Sequence, residues 1–196
     1  IKEKFIEHYS NAVTELNYKN DFELLIAIIL SAQCTDKRVN IITPALFDKY
    51  PNSTILSNAN IDDVKKLLNT CSFFNNKAIN IIKMAKRVVD EFNNKIPHNT
   101  KDLMTLAGVG NKTANVFMIE AEGANLMAVD THVFRVSHRL GLSDAKTVGK
   151  TEEQLVKKLK DDLHIFHQSM VLFGRYICKA VSPDCDKCFT YSFCIT

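Results

Sequence analysis

The 196 residues carry 25 lysines and arginines against 22 aspartates and glutamates, for a formal net charge of +3, and 46% of them are apolar. That composition is ordinary for a globular protein and supplies a core for one large domain or two small ones. No apolar run is long enough to span a bilayer, and the small positive charge is compatible with nucleic acid without requiring it.

Only four prolines and six glycines punctuate the chain, which suits helices joined by short connections. There is no low-complexity stretch, long charge block or internal repeat. Asn20, with Glu23 three residues on, reads as a capping box that opens a helix from 22 to about 38. The run Leu24-Leu25-Ile26-Ala27-Ile28-Ile29-Leu30 marks that helix as the buried centre of a bundle. Thr43-Pro44 reads as an N-cap followed by an N1 proline, or as a kink in a longer helix. Asn60 caps a helix over 61–69. Over 77–92, Ile81, Ile82, Ala85, Val88, Val89 and Phe92 recur at helical spacing. A short helix over 100–106 stops at Gly108, and another follows over 112–121. Thr131 caps a helix to about 140, Thr151 with Gln154 caps one to about 160, and a last helix over 165–176 runs into a group of cysteines. No segment alternates apolar and polar residues, so the expected fold is all-α.

Cys178, Cys185, Cys188 and Cys194 form a C-x6-C-x2-C-x5-C tail. Thiols gathered this tightly bind metal or pair as disulfides, and the compartment decides which. The chain shows no apolar signal segment, so a reducing cytoplasm is the expected setting. A chain able to build its own core also has little need of a disulfide framework. A metal centre is therefore favoured. A zinc ribbon usually carries two C-x2-C pairs where this tail has one, but zinc and iron–sulfur both accept four thiolates, and both stay open.

The segment Leu106-Ala107-Gly108-Val109-Gly110-Asn111-Lys112-Thr113 joins two helices through G-V-G. It reads as a plain helical corner, or as a helix–hairpin–helix whose main-chain N–H groups hold a DNA phosphate. Lys112 falls in the first turn of the following helix. The macrodipole disfavours a cation there, so the residue reads either as an amine set to act as a nucleophile or as an ordinary solvated surface lysine. Asp130, in Val129-Asp130-Thr131-His132-Val133, precedes another helix. An isolated aspartate there needs no role beyond capping. A lysine and a carboxylate acting together are, however, the equipment for attack on a sugar anomeric carbon.

The hairpin, the V-D-T-H-V-F-R-V segment, the cysteine tail and Leu30-Ser31-Ala32-Gln33-Cys34-Thr35-Asp36 occur in the order found in the endonuclease III family. The resemblance covers nearly the whole chain. It implies a bifunctional DNA glycosylase and AP lyase that removes oxidised pyrimidines from double-stranded DNA and cleaves abasic sites. It implies one [4Fe–4S] cluster on Cys178, Cys185, Cys188 and Cys194. It also implies two helical domains flanking a DNA-binding cleft: a six-helix domain over 14–124 with the helix–hairpin–helix at about 100–120, and a cluster domain formed by 1–13 and 125–196. Lys112 matches the family's Schiff-base nucleophile and Asp130 its catalytic carboxylate. Gln33 matches the glutamine that fills the gap left by an extruded base, and Phe73 stands where the family usually has a leucine wedge. Lys77, Gly108, Val109, Gly110, Thr113 and His132 complete the implied DNA contacts. A cytoplasmic monomer is expected, associated with the nucleoid in a bacterium.

Three departures stand out. Ala107 replaces a proline, Asn111 replaces a basic residue, and the loop Lys179-Ala180-Val181-Ser182-Pro183-Asp184 has one lysine and one acid where several basic residues are usual. The basic face should then rest on Lys77, Lys83, Arg135 and Arg139. Two competing functions remain: an adenine-type glycosylase, which would lack Lys112, and a non-catalytic DNA-binding redox module. No carboxylate cluster of the kind that holds Mg²⁺ stands out, which argues against a hydrolytic nuclease.

Overall fold

A computed structural model describes residues 1–196. It contains α1 (Lys2–His8), α2 (Asp21–Ser31), α3 (Asp36–Lys49), α4 (Ser53–Ser57), α5 (Ile61–Leu68), α6 (Phe74–Phe92), α7 (Thr100–Leu103), α8 (Asn111–Glu122), α9 (Thr131–Arg139), α10 (Val148–Leu159) and α11 (Leu163–Tyr176). Two 3-10 turns follow, Cys185–Lys187 and Tyr191–Phe193, and there is no strand. The chain divides into two compact bodies, Glu15–Ala121 and Ile1–Thr14 with Glu122–Thr196. No helix is long and apolar enough to cross a membrane.

In the body Glu15–Ala121, α2 is the axis of the core. Asn20 caps it, its side chain accepting the Glu23 N–H at 3.0 Å. Every residue from Phe22 to Leu30 is buried. Helices with one apolar face pack around it. α6 buries Ala78, Ile81, Met84, Ala85 and Val88, and α5 buries Val64 and Leu68. The larger of these side chains, from valine upward, each contribute about 1.5–3 kcal/mol by leaving water.

The single helix expected over 22–38 is two. α2 ends at Ser31, Gln33 adopts a left-handed backbone with φ 54°, and Thr35 caps α3 by accepting the Arg38 N–H at 3.2 Å. Pro44 lies inside α3, so the longer-helix alternative holds and the N-cap alternative fails. Asn60 does cap α5.

The other body gathers α1, α9, α10, α11 and the cysteine tail around its own core. Phe5 of α1 is fully buried, edge-on to Phe166, Phe173 and Phe189 at 5.1 Å each. His8 stacks on Phe189 at 4.0 Å, so the first helix closes over the tail. Asp130, not Thr131, caps α9, and Thr147, not Thr151, caps α10. Thr151 is inside α10 and fully buried. α9 and α11 approach closely at Gly174, where an added Cβ would stand 2.9 Å from His132 Cβ. A larger residue there would push α9 away.

Candidate functional site

The hairpin between α7 and α8 turns on Gly108, whose φ of +82° is open to glycine at little cost. Its face is closed by Asn80 and Ile29, 3.1 and 3.3 Å from where a Cβ would sit. Gly110 differs: nothing lies within 4 Å of its Cβ position, so a ligand can approach the backbone there. Val109 turns inward, 6% exposed, and its N–H already donates to the Leu106 carbonyl at 3.1 Å. That removes it from the expected phosphate contacts. Neither Gly108 nor Gly110 donates a main-chain bond of this kind. Lys112 is exposed in the first turn of α8, beside half-buried Thr113.

Gln33 and Phe73 occupy two other exposed turns, and both are left-handed, with φ 54° and 56°. Phe73 is 62% exposed. Non-glycine residues in this region cost about 1–3 kcal/mol each and concentrate where function requires them.

Lys77 corrects the expected basic face. It is only 6% exposed, and its Nζ donates to the carbonyls of Leu30 at 2.8 Å and Ala32 at 2.6 Å and to Cys71 Sγ at 3.3 Å. The signal was in the sequence: 77 precedes Ile81, Met84 and Val88 on the apolar stripe of α6. Burial pushes the Cys71 thiol above its ordinary range, which suits its donation to Leu30 O at 3.5 Å.

In the second body, Asp130 Oδ1 accepts the Val133 N–H at 2.8 Å and so uses one carboxylate oxygen as the cap of α9. His132 is half-buried and its Nδ1 lies 3.2 Å from the Arg135 guanidinium. Burial pushes this imidazole below its ordinary value of 6.5; Asp130 opposes the shift, while Arg135 and Arg175 add to it. Arg135 and Arg139 are also not free for a basic face. Arg135 donates to the carbonyls of Cys178 at 3.1 Å and Gly174 at 2.8 Å. Arg139 donates to Lys179 O at 2.7 Å and to Cys178 Sγ at 3.4 Å. Lying four apart on α9, they tie that helix to the cysteine segment, a role the sequence reading missed. Lys83 remains exposed.

The four tail cysteines are free thiols lining one cavity of about 140 Å³, together with Arg139 and Thr190. No three His, Cys, Asp or Glu side chains stand close enough to hold a single metal ion. A larger cavity of about 680 Å³, lined by Tyr18, Lys19, Glu23, Pro44 and Asp48 among others, includes none of the expected site residues.

Residues 26–161 match the model of the HhH-GPD superfamily of base excision DNA repair proteins. The endonuclease III of Rickettsia felis is 42% identical over 99% of this chain and 92% of its own length. That of Bacillus subtilis is 39% identical over 98% and 89%. Among solved structures, a trapped endonuclease III–DNA covalent intermediate is 40% identical, covers 99% of this chain and 92% of its own, and superposes with a TM-score of 0.94. A thermostable thymine-DNA glycosylase, 22% identical with a TM-score of 0.83, shares the fold. The chain therefore belongs to the HhH-GPD superfamily of base excision DNA repair proteins and, within it, to the endonuclease III family.

Proposed function

We propose that the protein excises oxidised pyrimidines from double-stranded DNA and cleaves the strand at the abasic site, as a bifunctional glycosylase and AP lyase. The observation that carries the lyase half is Lys112, an exposed amine in the first turn of α8 two residues after the open Gly110. A similar protein has been captured as a covalent DNA intermediate.

The damaged nucleotide must leave the stack before its C1′ can be reached. The Lys112 amine then attacks C1′: the N–C1′ bond forms, the glycosidic bond breaks, and the base leaves with the proton that the nitrogen gives up. The negative charge of Asp130 stabilises the positive charge that develops on the sugar. The sugar ring opens to a Schiff base, a 2′ proton is lost, and the 3′ phosphate departs by β-elimination. Water releases Lys112. Gln33 and Phe73 fill the vacated space, and main-chain N–H groups at Gly108 and Gly110, with Thr113, hold the backbone without reading sequence. His132, kept neutral by burial, takes part as a hydrogen-bonding group rather than a cation.

The four cysteines fit a [4Fe–4S] cluster better than one zinc. A zinc bound at about 2.3 Å to each sulfur would draw the sulfurs within about 3.8 Å of one another. Here the four thiols line one cavity of about 140 Å³ and no three of them group around a single ion position. Bound to four thiolates, the cluster would tie the tail together and leave no position for substrate.

Borohydride reduction tests the lyase. With abasic DNA it should trap a covalent complex, and Lys112→Ala should give none. An adduct that survived this substitution would overturn the assignment of Lys112.

A further inference from the structure

Lys77 lies on the buried stripe of α6, but its Nζ bonds belong to the end of α2, through Leu30 O and Ala32 O. α2 has no basic residue in its own last turn, so Lys77 supplies the cation that its negative end lacks. Had α2 continued, the Leu30 carbonyl would accept the Cys34 N–H. That N–H instead donates to Ser31 O at 3.0 Å. Lys77 thus replaces the next helical turn and secures the reversal that places Gln33 in its left-handed conformation. It is equally tied to the other exposed turn. Its main-chain N–H donates to the Phe73 carbonyl at 3.1 Å, and its Nζ reaches Cys71, two residues before Phe73.

We propose that Lys77 is a positioning residue, which locks the Gln33 turn to the Phe73 turn so that both side chains are set to fill the space of an extruded base before DNA arrives. This rests on the gap-filling reading of Gln33. Holding reacting partners in place ahead of time is worth orders of magnitude in rate, and small misplacements are costly.

A double-mutant cycle tests it, using Gln33→Ala, Lys77→Met and the pair. The duplex probe carries thymine glycol opposite adenine. The second probe is a single-stranded oligonucleotide with a preformed abasic site, where no partner strand needs filling. Lys77→Met should slow duplex excision about tenfold to a hundredfold, far more than nicking of the single strand. In the Gln33→Ala background it should cost little more, and Lys77→Arg should recover most of the loss. Equal losses on both probes, or losses that multiply with those of Gln33→Ala, would reduce Lys77 to a structural residue. Gln33→Ala at the wild-type rate would overturn the gap-filling reading and the proposal with it. Circular dichroism checks folding; if Lys77→Met does not fold, Lys77→Gln takes its place in the cycle.

Discussion

Under the proposed mechanism, Asp130 has two duties that one substitution separates. As the cap of α9 it accepts the Val133 N–H through a single oxygen, and asparagine caps about as well as aspartate. As the proposed catalytic carboxylate it would act through its charge, which asparagine lacks. Asp130→Asn should therefore cost less than about 1 kcal/mol of stability, the share owed to charge at a helix N-terminus. Its excision rate should fall about a hundredfold or more, in the range of lost general acid–base assistance. Nicking at a preformed abasic site should suffer much less, because the glycosidic bond is already broken. Single-turnover rates on the two substrates and a urea melt check this. Equal losses at both steps would show that Asp130 acts on Lys112 chemistry in general rather than on base departure. Asp130→Ala, which removes cap and charge together, should lose about 0.5–2 kcal/mol as well.

At the scale of elements, the two glycines of the α7–α8 hairpin should behave in opposite ways. Gly108→Ala forces a Cβ onto a φ of +82° and against Asn80 and Ile29, so it should cost about 2 kcal/mol in a urea melt. Gly110→Ala meets nothing within 4 Å; its stability should stay within about 0.5 kcal/mol while DNA affinity drops. A Gly110→Ala protein with full affinity would mean that the DNA backbone does not approach there. The hairpin was legible because its signals are local, G-V-G followed by a helical stripe. Asn20 and Asn60 were legible as caps for the same reason. At α9 the neighbours Asp130 and Thr131 both suit a cap, and nothing local chooses between them. The break between α2 and α3 was hidden for a different reason. Its terminator is Lys77, more than forty residues along the chain, and only tertiary packing brings that side chain to Leu30 and Ala32. The same packing removed Lys77 from the surface where its charge alone had placed it. The burial of Val109, and the hold of Arg135 and Arg139 on the cysteine segment, were likewise decided by long-range contacts.

For the molecule as a whole, the fate of its cations sets how it grips DNA. Net charge is only +3. Of the four basic residues expected to face the phosphates, Lys77 is buried and Arg135 and Arg139 donate to main-chain carbonyls. Lys83 is exposed, as is Lys179 in the cysteine loop, where Asp184 sits with Lys187 at 3.3 Å. Main-chain N–H groups at the hairpin can hold a phosphate without neutralising it, so they displace few counterions. Each phosphate that is neutralised adds about 0.9 to the slope of log affinity against log salt. Binding to an abasic-site duplex should therefore show a slope on the order of −3, from three or four neutralised phosphates. Lys179→Ala should change it by no more than about 1, the share of a single contact. Fluorescence anisotropy titrations across a salt series measure both. A slope beyond about −6 that collapsed in Lys179→Ala would make the cysteine loop the principal phosphate surface, and the main-chain hairpin a minor one.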